Sequence, residues 1–191
     1  MPSLKSIRTI LAIFLILTGI KLAYDWREIS LLENKNSYET LESALISQDW
    51  EEADRQTSHI ILHEAKGKKS MLTPLTNISL LEVENFPCDE LLKIDELWLR
   101  YSNSHFGFSI QKTIWDVPEE NDRALIENKT RFDREVGWSS QKASTFNFSL
   151  SAPKGHLPSY QWIIKTSVKI DGLYLYKFNA FLKRIKQCSS M

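Results

Sequence analysis

The sequence predicts an all-α domain preceded by an N-terminal hydrophobic helix. The chain has 191 residues, which corresponds to about one domain of roughly 150 residues. Hydrophobic residues make up 42% and charged residues 25%, as in globular proteins. Apolar residues recur at the spacing of a single helix face in several segments, whereas the period-2 signal extends only from Phe146 to Leu150.

The first 24 residues are expected to form a hydrophobic anchor. Residues 9–20 are uncharged and are flanked by Lys5, Arg8 and Lys21. As a helix they would be about 18 Å long, which is short of a hydrocarbon core of roughly 30 Å, although apolar and aromatic residues follow. A cleaved signal peptide and a buried N-terminal helix are the alternatives, but no clear small-x-small cleavage site is present. We therefore expect an uncleaved anchor at 1–24 and a helical domain at 25–191.

The segment 38–65 is predicted to be a helical hairpin. Tyr38, Leu41 and Leu45 lie on one helix face. Asp49 and Glu52 have the spacing of a capping box that begins the next helix. That second helix would bury Trp50, Ala53, Thr57, Ile60 and Ile61.

Further helices are expected toward the C-terminus. Pro87 precedes an acidic first turn and an apolar stripe, which is typical of a helix start. The stripe consists of Leu91, Ile94, Trp98 and Tyr101. Residues 119–135 are highly charged and predict a solvated helix or a mobile loop. A last stripe consists of Tyr174, Phe178, Phe181 and Ile185.

Several functional classes are disfavoured by composition. Lysine plus arginine and aspartate plus glutamate both number 24, so a phosphate-contacting nucleic-acid binder is not indicated. The six glycines form no nucleotide-binding loop. Cys88 and Cys188 are interpreted as ordinary thiols, and His59 and His63 as solvent-facing residues rather than a metal site. Because no nucleophile or acid–base group assembles, we expect neither catalysis nor a bound metal.

Aromatic residues are concentrated near glycines. The chain has 6 Trp, 6 Tyr and 9 Phe; Phe106 and Phe108 flank Gly107, and Trp138 follows Gly137. Most such rings fill a core, and composition alone favours that interpretation. The alternative is a concave apolar surface for a flat ligand, with Lys154, Arg131 or Arg134 binding its carboxylates.

Three stretches of sequence together favour the ligand-binding interpretation over the core-filling one. They are DWEEADRQT at Asp49–Thr57, the segment from Phe86–Cys88 to YSNSHFGFSIQ at Tyr101–Gln111, and VGW followed by FSLSAPKGHLP at Phe148–Pro158. Their identity and order resemble the genomes-uncoupled type tetrapyrrole-binding proteins of chlorophyll-making organisms. The resemblance covers residues 38–158, about two thirds of the chain.

This resemblance implies a compact helical domain shaped like a cupped hand, which binds protoporphyrin IX or magnesium protoporphyrin IX and carries no tightly bound cofactor. It also implies a non-catalytic role in chlorophyll biosynthesis, in which the protein stimulates magnesium chelatase through the large subunit. Trp138 would lie in a mobile loop, and aromatic and aliphatic side chains would converge into a hollow. The implied porphyrin-binding residues are Leu99, Phe106, Phe108, Ile110, Trp138, Lys154 and His156.

One alternative from another class remains at this point. The hairpin at 38–65 could belong to a membrane-tethered helical interaction or signalling module that binds no pigment. The N-terminus lacks the composition of a transit peptide. We therefore expect a plastid-encoded, membrane-associated chloroplast protein of photosynthesis, or else a protein of a cyanobacterial membrane.

Overall fold

A computed structural model describes residues 21, 37–66, 78–115, 121–139, 146–159 and 172–190. The chain divides into two compact units, Met1–Tyr38 and Glu39–Met191, and nearly all described residues belong to the second. Apart from Lys21, the expected N-terminal anchor lies outside the described residues. Within those residues, no helix has the length and apolar character needed to cross a membrane.

Helices are the regular elements throughout the described ranges, which confirms the all-α prediction. In chain order they are α1 (37–46), α2 (Trp50–Lys66), α3 (Leu80–Glu84), α4 (Cys88–Tyr101), α5 (Phe108–Ile114), α6 (Asp122–Glu135) and α7 (Gly172–Cys188).

Helix α2 begins as its sequence predicts, with one difference in the cap. The Glu52 backbone N–H donates to Asp49 Oδ1 at 3.2 Å, which satisfies one amide of the first turn. The Glu52 carboxylate accepts instead from Arg55 Nε at 2.7 Å and Gln56 Nε2 at 2.8 Å. The predicted apolar face is buried, and it comprises Trp50, Ala53, Thr57, Ile60 and Ile61.

Helix α4 is amphipathic and is bonded to α2 in the interior. Of the predicted stripe, Leu91, Ile94 and Trp98 are buried and Tyr101 is partly exposed, while Leu97 joins the buried face. The Trp98 indole N–H donates to Thr57 Oγ1 at 2.8 Å, so the polar edge of the ring is satisfied. Glu96 and Arg100 form an ion pair on the opposite, exposed face. Each fully buried apolar side chain contributes about 1.5–3 kcal/mol to this packing.

The highly charged segment forms α6, and it is more than a solvated helix. Leu125, Asn128 and Phe132 are buried along one face. Asn121 Oδ1 accepts the Ala124 N–H at 2.9 Å and caps the first turn. The mobile-loop alternative is therefore wrong for this helix, because three well-spaced anchors suffice to seat it despite its many charges.

Residues 146–150 form turns rather than a strand. Ser149 Oγ donates to Asn147 Oδ1 at 2.8 Å and accepts the Ser151 N–H at 3.2 Å. Such local side-chain bonds compete with strand pairing, so the period-2 pattern of apolar residues is not expressed as a strand here.

Helix α7 packs against α3, α4, α5 and α6 and supplies much of the aromatic core. Phe178 and Phe181 are fully buried at its centre. Its last residue, Cys188, forms a disulfide with Cys88, the first residue of α4, with the two Cα atoms 5.2 Å apart. The prediction of ordinary thiols is therefore wrong, because folding brings these helix ends together across 100 residues of sequence.

Candidate functional site

Two turns that are distant in sequence meet beside the start of α5, where residues 155–159 are buried. One turn, 102–107, connects α4 to α5. The other, 155–159, follows Lys154 in the FSLSAPKGHLP stretch. We call their contact the two-turn junction. Two backbone hydrogen bonds cross it, from Gly107 N to Leu157 O at 3.1 Å and from Gly155 N to His105 O at 3.0 Å.

Glycine is required on both sides of the two-turn junction. Gly107 has φ +135°, and a Cβ there would lie 2.9 Å from Asp95 Oδ1. Gly155 has φ +76°, and a Cβ there would lie 2.9 Å from Ile114 Cδ1. Because residues with side chains rarely adopt these conformations, the close approach of the two turns depends on both glycines.

Two buried polar side chains hold the second turn. Gln111 Nε2 donates to Gly155 O at 3.0 Å and to Pro158 O at 2.8 Å. The Asp54 carboxylate accepts both the backbone N–H and the hydroxyl of Ser159, each at 2.6 Å. Neither side chain was among the candidates from sequence. For each, the sequence signal was a polar residue on the apolar face of a predicted helix. Asp54 directly follows Ala53, and Gln111 lies three residues after Phe108.

Asp95 holds the start of α5 from inside α4. Its carboxylate accepts the backbone N–H of Ser109 at 3.0 Å and also the Ser109 hydroxyl. Burial raises the pKa of Asp95, and the bonds from Ser109 oppose that change. Asp95 therefore fixes the first turn of α5 from a buried position beside Gly107.

His156 is buried and supports the segment after α6. Its Nδ1 lies 2.6 Å from Val136 O, and because a carbonyl only accepts, Nδ1 carries the proton. Burial lowers the pKa of His156, so the ring is held neutral, while the bond to Val136 opposes that change. Nε2 has no hydrogen-bond partner among the described residues, and the Phe146 ring stacks on the imidazole at 4.2 Å.

The three aromatic candidates are buried among other rings. Phe106 and Phe108 are 0% exposed and Trp138 is 7% exposed. Trp138 lies in the turn after α6, with its indole N–H donating to His156 O at 2.9 Å, so its ring is anchored. Their edge-to-face neighbours are Trp50 for Phe106 (5.5 Å), Phe181 for Phe108 (4.9 Å) and Phe132 for Trp138 (5.3 Å). A ligand-contacting role for these rings and for His156 stays a prediction.

The remaining candidates reach the surface around the two-turn junction. Leu99 and Ile110 are partly exposed, and Lys154 is exposed. A Cβ on Gly107 would lie 3.3 Å from Leu99 Cδ2, and one on Gly155 would lie 3.6 Å from Ile110 Cγ2. Leu99 and Ile110 therefore border the two glycines, while Lys154 immediately precedes the second. We call these three residues the junction surface.

The two arginines considered for ligand carboxylates differ in their surroundings. Arg131 donates to Glu135 Oε1 and to Ile114 O, both at 3.0 Å, so its guanidinium is engaged within the fold. Arg134 is exposed on α6.

A further cation lies under Trp138. Lys129 Nζ is 5.5 Å from the centroid of the Trp138 ring and 5.4 Å from that of Phe178, within cation–π range. Lys129 also pairs with Asp133, one helical turn away. Burial lowers the pKa of Lys129 and raises that of Asp133, and their mutual attraction opposes both changes. The four-residue spacing in the charged segment was the only sequence signal for this pair.

Metal ligation finds no support in the described ranges. No group of three or more histidine, cysteine, aspartate or glutamate side chains clusters there. Of the two histidines expected to face solvent, His59 is exposed on α2, whereas His63 is partly buried, with its Nδ1 3.4 Å from Glu64 Oε1.

Comparison with known proteins identifies the family of this fold. A family model described as GUN4-like matches residues 32–171. The chain is 36% identical over 126 residues to the "Ycf53-like protein" of Synechocystis sp., covering 63% of this chain and 50% of that protein. It is 29% identical over 133 residues to the "Tetrapyrrole-binding protein, chloroplastic" of Arabidopsis thaliana, covering 66% and 49% respectively.

A solved structure agrees with these relatives. The ligand-free structure of Arabidopsis thaliana GUN4 matches with a TM-score of 0.56 and 26% identity, over 75% of this chain and 96% of that chain. The chain spans about half the length of the curated relatives it matches. The family model nevertheless covers well over half of this chain, in agreement with the three ordered motifs, and the chain belongs to the GUN4-like family.

Proposed function

We propose that the chain is a non-catalytic tetrapyrrole-binding accessory protein, whose ligand is protoporphyrin IX or magnesium protoporphyrin IX. Membership of the GUN4-like family and similarity to the Arabidopsis tetrapyrrole-binding protein support tetrapyrrole binding. The structural observation that carries the proposal is the junction surface, where Leu99 and Ile110 border two glycine-dependent turns beside the exposed Lys154.

The chemistry of the junction surface suits a porphyrin. A porphyrin has two wide apolar faces and two carboxylates at one edge, so it requires aliphatic contact and a cation at the rim. Leu99 and Ile110 would supply the aliphatic contact, and Lys154 would attract a propionate as a compact charge. Phe106 and Phe108 would contribute indirectly, because their buried rings hold in place the backbone that carries Ile110.

The wider role follows from the resemblance and is part of this proposal. The protein would present its porphyrin to magnesium chelatase, through the large subunit, and so stimulate chlorophyll synthesis without itself performing chemistry. A reconstituted chelatase assay with and without the full chain tests this step. A dose-dependent rise in the rate of magnesium insertion is expected, and an unchanged rate across a range that saturates porphyrin binding would exclude it.

Residues 1–24 would tether the helical domain to a photosynthetic membrane of the plastid or, alternatively, of a cyanobacterium. The charge-flanked apolar segment supports this placement, and the chloroplast and cyanobacterial relatives support the setting. Fractionation of cells that carry a reporter fusion tests it. Recovery of the fusion in membranes after a salt wash is expected, and its complete release would remove the anchor from the proposal.

Titration of the full chain, kept in mild detergent, with a dicarboxylate porphyrin tests binding. Saturable quenching of tryptophan fluorescence and a shifted Soret band are expected, with detergent alone as the blank. Leu99→Ala combined with Ile110→Ala should weaken binding at least tenfold, since buried apolar contact is worth roughly 0.8 kcal/mol per methylene and each substitution removes several carbon atoms. Ile46→Ala is the matched control, because Ile46 is 62% exposed on α1. Failure of the original chain to saturate would instead favour the pigment-free interaction module.

A further inference from the structure

The disulfide ties together two helix ends that also meet through a hydrogen bond. Cys88 begins α4 and Cys188 ends α7. Arg184, one turn before Cys188, donates from Nε to Phe86 O at 2.9 Å. The C-terminal end of α7 is therefore fastened to the segment entering α4 at two adjacent points, one of which is covalent.

The two cysteines of the disulfide differ in solvent exposure. Cys188 is 3% exposed, whereas Cys88 is partly exposed. Thiol–disulfide exchange requires a thiolate to reach one sulfur of the bridge, and accessible bridges are the ones that exchange readily. The Cys88 side is therefore where a reductant would attack.

Helix α7 connects the bridge to the rings behind the junction surface. Phe181 packs on Phe108 at 4.9 Å, and Phe178 packs on Trp138 at 6.1 Å. Asn179 Oδ1 accepts the Trp115 indole N–H at 3.0 Å. A looser α7 would consequently loosen Phe108, the first residue of α5, which also carries Ile110.

We propose that Cys88–Cys188 is a reducible clasp whose state controls how firmly α7 covers the aromatic core. A dithiol attacks Cys88 Sγ, so the S–S bond breaks and Cys188 leaves as a thiolate that takes up a proton. The second thiol of the reductant then releases Cys88. The dithiol becomes a disulfide, and its two electrons and two protons end on the two cysteines. Any effect of this switch on pigment affinity rests on the proposed function.

Comparison of the full chain in its oxidised and dithiothreitol-reduced forms tests the clasp. Alkylation should find no free thiol before reduction and two after it. Reduction should raise amide exchange in α7 by about tenfold or more and lower Tm by about 10 °C, because opening a long loop enlarges the unfolded ensemble. Exchange in the middle of α2 should change far less. Two free thiols in the air-oxidised chain, or equal α7 exchange in both forms, would overturn the clasp.

The double variant Cys88→Ser/Cys188→Ser is the control for other effects of the reductant. It should match the reduced chain with or without dithiothreitol, and continued sensitivity to the reductant would contradict the proposal.

A porphyrin titration of both forms tests the link to the junction surface. Affinity at least threefold weaker after reduction is expected, and equal affinity with unequal α7 exchange would refute that link. Absence of binding in both forms would refute the proposed function, whereas amide exchange would still decide the clasp.

Discussion

Asp54 and Ser159 are joined by two hydrogen bonds across 105 residues of sequence. The carboxylate is 1% exposed and accepts both donors of the serine at 2.6 Å. Asp54→Ala should lower the free energy of unfolding by about 3 kcal/mol, because it leaves buried donors without an acceptor. Asp54→Asn, which retains one acceptor oxygen, should cost about 1–2 kcal/mol. Urea unfolding of the full chain measures both.

Asp89→Asn is the matched control for Asp54, since Asp89 is exposed in the first turn of α4. We expect it to change stability by less than about 0.5 kcal/mol. If Asp54→Ala and Asp89→Asn were equally mild, the paired bonds to Ser159 would not hold the second turn.

Gly155→Ala should destabilise the two-turn junction. The backbone at Gly155 has φ +76°, and the added methyl would lie 2.9 Å from Ile114 Cδ1. The conformational cost alone is about 1–2 kcal/mol, and displacement of Ile114 adds to it. Thermal unfolding should therefore show a clearly lower Tm, and porphyrin affinity should fall with it because the added Cβ would also lie 3.6 Å from Ile110 Cγ2.

Asn103→Gly is the control for Gly155→Ala, because it removes a side chain at a position of positive φ instead of adding one. Asn103 has φ +52° without being glycine, and it is exposed. Removing its side chain should alter stability by less than about 0.5 kcal/mol. A large loss at Asn103 together with none at Gly155 would contradict the assignment of the close approach to Gly155.

Substitutions in the core and in the junction surface should separate folding from binding. Phe108→Ala removes a fully buried ring and should cost about 3–5 kcal/mol of stability. Lys154→Ala, at an exposed position, should cost less than about 0.5 kcal/mol and yet weaken porphyrin binding. Urea unfolding followed by titration of each folded variant measures both quantities. A folded Phe108→Ala variant that keeps full porphyrin affinity would contradict the supporting role proposed for its ring.

The helices could be predicted because their cause is local. Leu91, Ile94 and Trp98 recur at the helical period, and all three are buried along α4. Helix α6 was predicted less well, because three buried anchors among many charges give a weak periodic signal. The aromatic residues near glycine are buried, as composition alone favours, whereas the ligand-binding hollow implied by the resemblance stays a prediction.

The two-turn junction could not be predicted because its contacts are set by tertiary structure. The bond from Gly107 to Leu157 joins residues that no local pattern relates. Cys88 and Cys188 are 100 residues apart, and connectivity depends on where the two helix ends meet. Motif resemblance located both turns in the sequence, but it could not show which of their side chains are buried and which reach solvent.

Protonation of His156 should make the fold less stable below about pH 6.5. Burial lowers its pKa in the folded state below the ordinary imidazole value of about 6.5, so below that pH the unfolded chain binds a proton that the folded chain does not. Stability then decreases as pH falls, by at most about 1.4 kcal/mol per pH unit, until the folded-state pKa is reached. Asp95 contributes to the pH dependence of stability in the opposite sense, since its pKa is raised.

His156→Asn keeps a donor for Val136 and should remove the His156 part of the slope in urea unfolding between pH 5 and 7. His59→Asn, on the exposed face of α2, is the matched control substitution. An identical slope in the original chain and in His156→Asn would show that the imidazole is not held neutral by burial.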